Sequence, residues 1–452
     1  MTNVALTGLA RELAEREKTG RPIRIGLIGC GEMGTDLVTQ VSLMRGIRIA
    51  AIAERRGLGS ARAVKIAGDP RLSLKEAGSC AAMNRAIEAG AIAVVPDAAL
   101  IAACDLVDVV VDATGKPAVA AEFGLKAMEN GKHLVMMNVE ADVTIGAYLK
   151  HEADRLGVIY SVGAGDEPSS TMELIEFVTA MGHDVVAAGK GKNNPLNPDA
   201  TPDAYEEEAE RRDMNPRMLV EFVDGSKTMV EMAAIANATG LVPDKPGMHG
   251  PAASLDDLCK VLVPESGGGI LSKKGCVDYS VGRGVAPGIF VVAEMAHPRL
   301  RERMNDLKLG PGPYYTFYRP YHLTSLEVPL TCARVVLHGK PDMVPLPNPV
   351  AEVCAVAKRD LRPDETFDAI GEYMYRSWTM TADEARASRA VPVGLLERGK
   401  VTGPIRKGDL ITYDRAQPDA GSKLVQMRAL QDRMIFGEEK SRPAVELALA
   451  SR

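Results

Sequence analysis

Two lysines and two amides lie close together near the middle of the sequence. Residues 189–194 read Gly-Lys-Gly-Lys-Asn-Asn and follow a short apolar run. This pattern predicts a glycine loop at the end of a strand, where ammonium and amide groups can hold phosphate or carboxylate. We therefore expect Lys190, Lys192 and Asn193 to bind an anionic substrate group. A solvated hairpin turn is the alternative interpretation.

A second polar group lies in the loop-rich, proline-containing stretch 311–330. It contains Arg319, His322 and Thr324, and an arginine, a histidine and hydroxyls that converge in such a loop suit an oxyanion. We expect these three residues to contribute to binding of the anionic end of the substrate. For His322 alone, an ordinary structural histidine is an equally consistent interpretation.

Three carboxylates are candidates for holding a divalent cation. Asp166 and Glu167 are adjacent, and Glu231 lies in a predicted helix, one turn after Lys227. A metal ion there would act as an electrophile on two neighbouring substrate oxygens. The spacing matches no metal motif strong enough to decide the point, and a lysine in place of the metal is the alternative.

A glycine motif near the N-terminus indicates a dinucleotide site. A short apolar run is followed by Gly29, Gly31 and Gly34, with Glu32 and Met33 between the last two glycines. Such glycines permit a tight turn, close approach to a pyrophosphate and close packing of the next helix, whose N-terminus attracts the phosphates. The alternative is a glycine turn in some other α/β protein.

Two further strand ends are predicted to face the same cofactor. Ala113, Thr114 and Gly115 follow one apolar run, and Asn138 follows the next. The ligand of a doubly wound sheet lies beyond the carboxyl ends of its strands. Ordinary turn and cap chemistry is the alternative for Thr114 and Asn138.

The residues that directly follow the second predicted strand favour different cofactors. Glu54 suits the ribose hydroxyls of NAD. Arg55 and Arg56 suit the 2′-phosphate of NADP. The two arginines favour NADP(H) slightly over NAD(H).

The elements that position these residues are strands and helices in alternation. Apolar runs alternate with helical patterns up to about residue 165, which predicts right-handed crossovers and a doubly wound parallel sheet. We predict an α/β protein with a dinucleotide-binding Rossmann domain in residues 1–165. It is followed by a central α+β substrate domain in residues 166–349. Residues 350–452 are predicted to form a small β-rich module with a last helix and a tail.

Composition excludes several classes of function. The net charge is −6 and aromatic residues make up 4% of the chain, a balance that argues against nucleic acid as a partner. No stretch approaches the ~18 apolar residues of a membrane span. The seven cysteines form no Cys-x-x-Cys pair, which predicts reduced thiols in a cytoplasm. We expect a small anionic substrate as the partner and assembly into a homo-oligomer.

Residues 107–162 resemble a known nucleotide-binding domain. The similarity is carried by residues 108–115, which read Asp-Val-Val-Val-Asp-Ala-Thr-Gly, and by residues 130–135 and 157–160. On these phrases the segment resembles the Rossmann domain of homoserine dehydrogenases. That family continues with Asn-Lys, in which the lysine is functional, whereas Asn138 is followed here by valine and glutamate. The resemblance therefore implies a nicotinamide site without that lysine.

Longer phrases carry a narrower resemblance. They are residues 136–142, 163–168, 189–196, 227–240 and 318–329. On them, residues 1 to about 435 resemble deoxyxylulose phosphate reductoisomerase-like (DRL) oxidoreductases, which join a homoserine-dehydrogenase-like Rossmann domain to a C-terminal SAF module. The resemblance implies a nicotinamide enzyme, and some members convert deoxyxylulose phosphate to methylerythritol phosphate in isoprenoid synthesis.

Three functions stay open at this point. The first is an NAD(P)-dependent oxidoreductase acting on a small phosphorylated polyol or ketose, with reductoisomerisation of deoxyxylulose phosphate as its specific form. The second is a catabolic dehydrogenase of a hydroxy acid or sugar acid. The third is a non-catalytic dinucleotide sensor, which the cationic central segment disfavours because a sensor needs no second anion site.

Overall fold

The computed structural model describes residues 4–55 and 57–437 of the chain. The described residues fall into two compact units. The first unit comprises the chain up to residue 142 together with residues 148–166 and 323–344, and the second comprises residues 143–147, 167–322 and those from 345 onward. Arg56, one of the predicted cofactor residues, lies outside the described residues.

The described strands and helices alternate along the first part of the chain. The strands are β1 (Ile23–Ile28), β2 (Ile47–Ala53), β3 (Leu74–Glu76), β4 (Ile92–Val95), β5 (Val109–Asp112), β6 (His133–Met136), β7 (Tyr160–Val162), β8 (Asp184–Gly191), β9 (Val242–Pro243), β10 (Cys276–Ser280), β11 (Ile289–Glu294), β12 (Tyr314–Arg319), β13 (Ala351–Ala357), β14 (Tyr375–Thr381), β15 (Lys400–Val401) and β16 (Ala416–Gln417). The α-helices are α1 (Gly8–Lys18), α2 (Glu32–Ser42), α3 (Leu58–Ala67), α4 (Cys80–Glu88), α5 (Ala98–Ala102), α6 (Pro117–Glu129), α7 (Val139–Leu156), α8 (Glu167–Ala180), α9 (Glu206–Arg211), α10 (Pro216–Val223), α11 (Ser226–Thr239), α12 (Leu258–Val261), α13 (Pro298–Asp306), α14 (Val328–His338), α15 (Ala382–Ala387) and α16 (Lys423–Phe436).

The first unit contains a seven-stranded sheet in the order β3-β4-β2-β1-β5-β6-β7. Every neighbouring pair in it is parallel. The strand order runs outward from β1 on one side and then resumes with β5 on the other, which is the doubly wound pattern. Strand residues such as Ile23, Ile25 and Leu27 are buried because helices cover such a sheet on both faces. The predicted doubly wound parallel sheet is confirmed.

Residues 323–344 return to the first unit after the chain has formed most of the second. Helix α14 places Val328, Cys332 and Ala333 in the same apolar core as β1 and β5. The Thr331 hydroxyl accepts a hydrogen bond from the backbone N–H of Ala164 at 2.8 Å. The nucleotide-binding unit is therefore built from segments that are distant in the sequence.

The second unit contains a mixed five-stranded sheet in the order β12-β11-β8-β10-β9. Strands β8, β10 and β9 run parallel, whereas β11 is antiparallel to both of its neighbours. Its apolar core includes Val186, Phe290 and Val292 from the sheet. Leu258 of α12 and Leu262, the residue after this helix, belong to the same core. The carboxyl ends of β8, β10 and β9 consequently share one edge of the sheet.

The C-terminal segment of the second unit is rich in short antiparallel pairs, as predicted. Strand β13 pairs with β14, and β15 pairs with β16. The Ser377 N–H donates to the Ser226 hydroxyl at 2.9 Å, and the Thr379 hydroxyl donates to the Met229 carbonyl at 2.7 Å. These bonds attach β14 to α11, most of whose residues are buried.

Two local predictions were wrong. Residues 189–191 are the last residues of β8 rather than a glycine loop, because β10 and β11 pair with them on both sides. The stretch 311–330 contains a strand, Tyr314–Arg319, and the start of a helix, so it is less loop-rich than its prolines indicate.

Two further observations concern the described residues as a whole. We find no described helix with both the length and the apolar character that a membrane crossing requires. The seven cysteines all lie within the described part and carry free thiols.

Candidate functional site

The alternation of glycine and lysine at the end of β8 gives this strand two different faces. A β-carbon at Gly189 would lie 1.7 Å from the Asp278 carbonyl oxygen, and one at Gly191 would lie 2.2 Å from the Ala286 nitrogen. Because successive side chains point to opposite faces of a strand, the lysines at 190 and 192 share the other face. The glycines thus allow neighbouring backbone to pack closely against the strand, and the two lysine side chains lie on the same side.

Lys190 lies between two carboxylates in the interior of the second unit. Its ammonium group donates to Glu167 Oε1 at 2.7 Å and also to Glu231 Oε2. Glu231 is fully buried and Lys190 is 5% exposed. Burial on its own lowers the pKa of Lys190, but the charges of Glu167 and Glu231 outweigh burial and raise this pKa above its usual value. Lys190 is therefore held as a cation.

His322 contacts the same group of residues. Its Nδ1 lies 2.8 Å from the Pro287 carbonyl oxygen, and its Nε2 lies 3.5 Å from Glu167 Oε1. Because a carbonyl only accepts hydrogen bonds, Nδ1 carries a proton in this arrangement. In the neutral ring Nε2 is then the acceptor, and in the charged ring it can pair with Glu167. Nε2 is thus the ring nitrogen that faces Glu167.

In the described part of the chain, no carboxylate lies within hydrogen-bonding distance of Lys192. Its ammonium group donates to the carbonyl oxygens of Asn194 and Phe222, both at 2.7 Å. Burial, reinforced by the nearby positive charge of Lys190, lowers the pKa of Lys192 to about 8. This lysine keeps most of its positive charge at neutral pH, and the negative charges of Asp224 and Glu231 only partly oppose the lowering of its pKa.

The other predicted residues of the substrate site differ in their surroundings. Arg319 pairs with Glu173 at 2.9 Å, and its guanidinium carbon lies 4.8 Å from the centroid of the Tyr321 ring. Asn193 is exposed. Asp166 and Thr324 belong to the first unit, where the Thr324 N–H donates to the Gly165 carbonyl at 2.7 Å. The second unit therefore groups Glu167, Lys190, Glu231 and His322 into one cluster.

Glu167 and Glu231, the two carboxylates of this cluster, are two of the three residues predicted to hold a divalent cation. Glu167 and Glu231 both accept hydrogen bonds from Lys190, so a positive charge already lies between them. This arrangement matches the alternative in which a lysine stands in place of a metal. A divalent ion at the same carboxylates would have to work against the charge of Lys190.

The glycine motif of the first unit has the geometry that a dinucleotide requires. Gly29 has a φ of +92°, and a β-carbon there would lie 3.0 Å from the Ala113 carbonyl oxygen. A β-carbon at Gly34 would lie 2.6 Å from the Gly29 carbonyl oxygen, whereas one at Gly31 would meet nothing within 4 Å. Gly31 thus borders open space at the N-terminus of α2, whose first residues are Glu32 and Met33. Pyrophosphate binds at helix N-termini of this kind.

Glu54 lies at the end of β2 and holds the start of α3. Its two carboxylate oxygens accept hydrogen bonds from the backbone N–H groups of Gly59 at 2.8 Å and Ser60 at 2.6 Å. The partial positive charge of the helix N-terminus offsets part of the negative charge of this carboxylate. The next residue, Arg55, is exposed.

The other two strand ends contain one residue that the sequence did not single out. Asp112 is buried and accepts a hydrogen bond from the Thr114 N–H at 3.1 Å. Burial raises the pKa of Asp112 to about 6, against hydrogen bonds from Thr114 and Asn138 that lower it. Asn138 itself caps α7 by accepting from the Ala141 N–H at 3.1 Å, and Gly115 is exposed. The sequence signal that could have identified Asp112 is its position as an aspartate at the end of the apolar run of β5.

Family models match two parts of the chain. Residues 29–162 match the model described as the homoserine dehydrogenase NAD-binding domain. Residues 165–328 match the model described as the catalytic domain of oxidoreductase DRL. The protein is an NAD(P)-dependent oxidoreductase. The second match covers β8, α11 and β12, and therefore Lys190, Glu231 and Arg319, and it ends at the start of α14.

Solved structures with a similar fold are distant in sequence. A "probable dehydrogenase" from Thermotoga maritima is 14% identical over 71% of this chain and 90% of its own, with a TM-score of 0.41. Scyllo-inositol dehydrogenase from Lactobacillus casei, with bound NAD(H) and scyllo-inositol, is 13% identical over 60% and 73%, with a TM-score of 0.35. A DOX-P reductoisomerase structure with fosmidomycin and magnesium is 17% identical over 46% and 56%, with a TM-score of 0.32. No curated protein matches the chain.

Proposed function

We propose that the enzyme exchanges a hydride between NAD(P)H and a small phosphorylated polyol or ketose. The observation that carries this proposal is the cluster of Lys190 with Glu167, Glu231 and His322, with Lys192 directly after the end of β8. The cluster offers a group that exchanges protons and a fixed ammonium group. Lys192 adds a cation for an anionic end.

Each residue of the cluster has a chemical task in this proposal. His322 exchanges a proton at Nε2 with a substrate hydroxyl, and the Pro287 carbonyl fixes its ring. Lys190, oriented by two carboxylates, donates a hydrogen bond to the oxygen on which negative charge develops. Lys192 binds the phosphate or carboxylate of the substrate. When bound, the nicotinamide supplies or accepts the hydride.

The specific reaction that we propose is reductoisomerisation of deoxyxylulose phosphate to methylerythritol phosphate. The match of residues 165–328 to the DRL catalytic model supports it. The test is a substrate panel followed by nicotinamide absorbance, with the carbon skeleton of each product determined by NMR. A rearranged, branched product supports reductoisomerisation, and turnover of no phosphorylated ketose or polyol overturns the proposal.

A catabolic dehydrogenase of a hydroxy acid or sugar acid is the second candidate. The match of residues 29–162 to the homoserine dehydrogenase model favours it. The same panel separates the two candidates, because a simple dehydrogenase leaves the carbon skeleton intact. Homoserine, sugar acids and unphosphorylated polyols therefore belong in the panel beside the phosphorylated ketose.

For the cofactor we propose NADP(H). Both oxygens of Glu54 are engaged by the start of α3, so its charge is partly compensated, and the exposed Arg55 is available to a 2′-phosphate. NAD(H) is the alternative, because a carboxylate oxygen can accept from a ribose hydroxyl in addition to a backbone N–H.

We further propose that the enzyme works in the cytoplasm as a homo-oligomer and that the C-terminal segment is an SAF module. Seven free thiols support a reducing compartment. Light scattering combined with size-exclusion chromatography tests the assembly, and a monomer at micromolar concentration would contradict it.

A further inference from the structure

Several buried cations of the second unit are neutralised by carboxylates. Lys190 contacts Glu167 and Glu231, and Lys358 lies 2.6 Å from Asp224. Arg428 pairs with Glu352 and Asp432. Such pairing is the general condition for burying a charge. Among the described residues of this unit, the buried Lys192 and the half-buried Arg376 have no carboxylate within ion-pair distance.

Arg376 stacks on the ring of Trp378, the only tryptophan in the sequence. Its guanidinium carbon lies 4.6 Å from the centroid of the Trp378 ring, and both residues are half-buried on β14. Among the described residues, no hydrogen bond or carboxylate ion pair of this guanidinium is seen. Burial lowers the pKa of Arg376, and the negative charges of Asp224 and Asp199 only partly oppose this shift.

The ring of Trp378 is itself fixed in place. A β-carbon at Gly247 would lie 2.1 Å from the indole, so the loop after β9 lies directly against it. The Gly247 N–H also donates to the Thr379 carbonyl at 2.7 Å, which ties that loop to β14. An arginine stacked on a fixed ring keeps its planar edge of N–H donors for a ligand.

The turn at residues 222–226 contacts both Lys192 and the residue that follows Arg376. Lys192 donates to the Phe222 carbonyl, and the residue after Arg376, Ser377, donates its N–H to the Ser226 hydroxyl. Asp224, between these two positions, raises the pKa of both Lys192 and Arg376. Lys192 and the backbone beside Arg376 therefore border residues 222–226, and Asp224, the only carboxylate in that turn, is already paired with Lys358.

We propose that Arg376, held on Trp378, and Lys192 form an oxyanion subsite that binds the phosphate or carboxylate end of the substrate. The identity of this ligand as substrate rests on the proposed function. The planar guanidinium can bind two oxygens of one anion, and the ammonium adds a point charge. The C-terminal segment thus supplies a substrate-binding residue and is more than a support for α11.

The test uses the full-length protein and isothermal titration with inorganic phosphate and, separately, acetate. Arg376→Gln is the variant, and Arg376→Lys keeps the charge without the planar fork. Arg386→Gln is the matched control, because Arg386 also stacks on a ring, with its guanidinium carbon 4.1 Å from the centroid of Phe436. Thermal unfolding of each variant checks that it is folded.

We expect Arg376→Gln to weaken phosphate binding by at least tenfold, Arg376→Lys by less, and Arg386→Gln not at all. Stronger binding of acetate than of phosphate would assign the subsite to carboxylates. Phosphate and acetate affinities that are unchanged in a folded Arg376→Gln protein would overturn the inference, as would a wild type that binds neither anion.

Nicotinamide turnover separates the inference from the proposed function. If Arg376→Gln loses anion binding and no phosphorylated or carboxylated substrate is turned over by the wild type, the subsite stands and the proposed function fails. If the wild type turns over such a substrate and Arg376→Gln has an unchanged KM, the proposed function stands and the subsite fails.

Discussion

Glu231 accepts a hydrogen bond from Lys190 in the interior of the second unit, although the glutamate has no solvent exposure at all. A buried carboxylate needs compensating positive charge, which Lys190 supplies here together with Lys227, whose ammonium nitrogen lies 4.0 Å from Glu231 Oε1. The pair is therefore both a structural requirement of α11 and β8 and the fixed part of the proposed catalytic cluster.

The pair makes a prediction about stability. Glu231→Ala leaves Lys190 with one carboxylate in place of two in a buried setting, and we expect the free energy of unfolding to fall by about 3–5 kcal/mol. Urea denaturation of the two proteins measures this loss. The matched control is Glu302→Ala, which breaks an exposed pair with Arg299 and should cost about 1 kcal/mol or less. Equal losses in the two variants would contradict the assignment.

The proton-exchanging role of His322 makes a prediction about rate. His322→Asn removes the acceptor at Nε2, and we expect kcat to fall by roughly 10²–10⁴-fold with a smaller change in KM. Steady-state kinetics with the substrate found in the panel measures both constants. His297→Asn, at an exposed helix cap, is the control and should leave both unchanged. A wild-type kcat in His322→Asn would rule out this role.

The pKa of Lys192 makes a prediction about pH. Because burial lowers this pKa to about 8, the ammonium group loses its charge above that pH while an ordinary lysine keeps it. We expect phosphate affinity to fall by up to tenfold per pH unit between about pH 8 and 10, a range in which phosphate remains a dianion. Titration at several pH values measures the slope. In Lys192→Gln the affinity should be low and nearly independent of pH, and a flat wild-type profile would argue against this lysine.

The contacts of Glu54 make a prediction about the cofactor. Glu54→Ala removes the acceptor for two N–H groups at the start of α3, so we expect a loss of about 1 kcal/mol in stability but little change in kcat/KM for NADP(H). Glu54→Gln, which keeps one carbonyl acceptor, should lose less stability. A wild type that prefers NAD(H) by more than about tenfold, roughly 1.4 kcal/mol, with this preference lost in Glu54→Ala, would show that the carboxylate selects NAD.

The attachment of β14 to α11 makes a prediction about truncation. A chain that ends after Pro349 lacks β13 and β14 and leaves apolar faces of α11 uncovered, so we expect an insoluble protein or one without cooperative unfolding. Thr379→Val removes only the hydrogen bond to the Met229 carbonyl and should cost about 1 kcal/mol. A soluble truncated protein with the unfolding temperature of the full chain would refute the prediction.

The Rossmann sheet was predictable because its signals are local. Continuous apolar runs mark β1, β5 and β6, and α7 ends at Leu156, just before Gly157, whose φ of +68° suits a glycine at the end of a helix. The glycines at 29, 31 and 34 differ in their surroundings as the motif predicts. Each of these features depends on residues that are near one another in the sequence.

The second unit was less predictable because its decisive contacts are long-range. Lys190 and Glu231 are 41 positions apart in the sequence. Ser377, the neighbour of Arg376 on β14, bonds to Ser226 of α11, which lies 151 positions away. The segment Gly-Lys-Gly-Lys predicts a glycine loop by composition alone. Only the approach of Asp278 and Ala286 to the glycines shows why a strand needs them there.

The return of residues 323–344 to the first unit has a consequence for how the protein is made. The core around β1 and β5 is complete only when α14 supplies Val328, Cys332 and Ala333. During synthesis, some 160 residues of the second unit leave the ribosome after β7 and before that helix does. The nucleotide-binding unit therefore remains unfinished until the chain is about three-quarters made, and the order of folding follows contacts in space and not the order of the sequence.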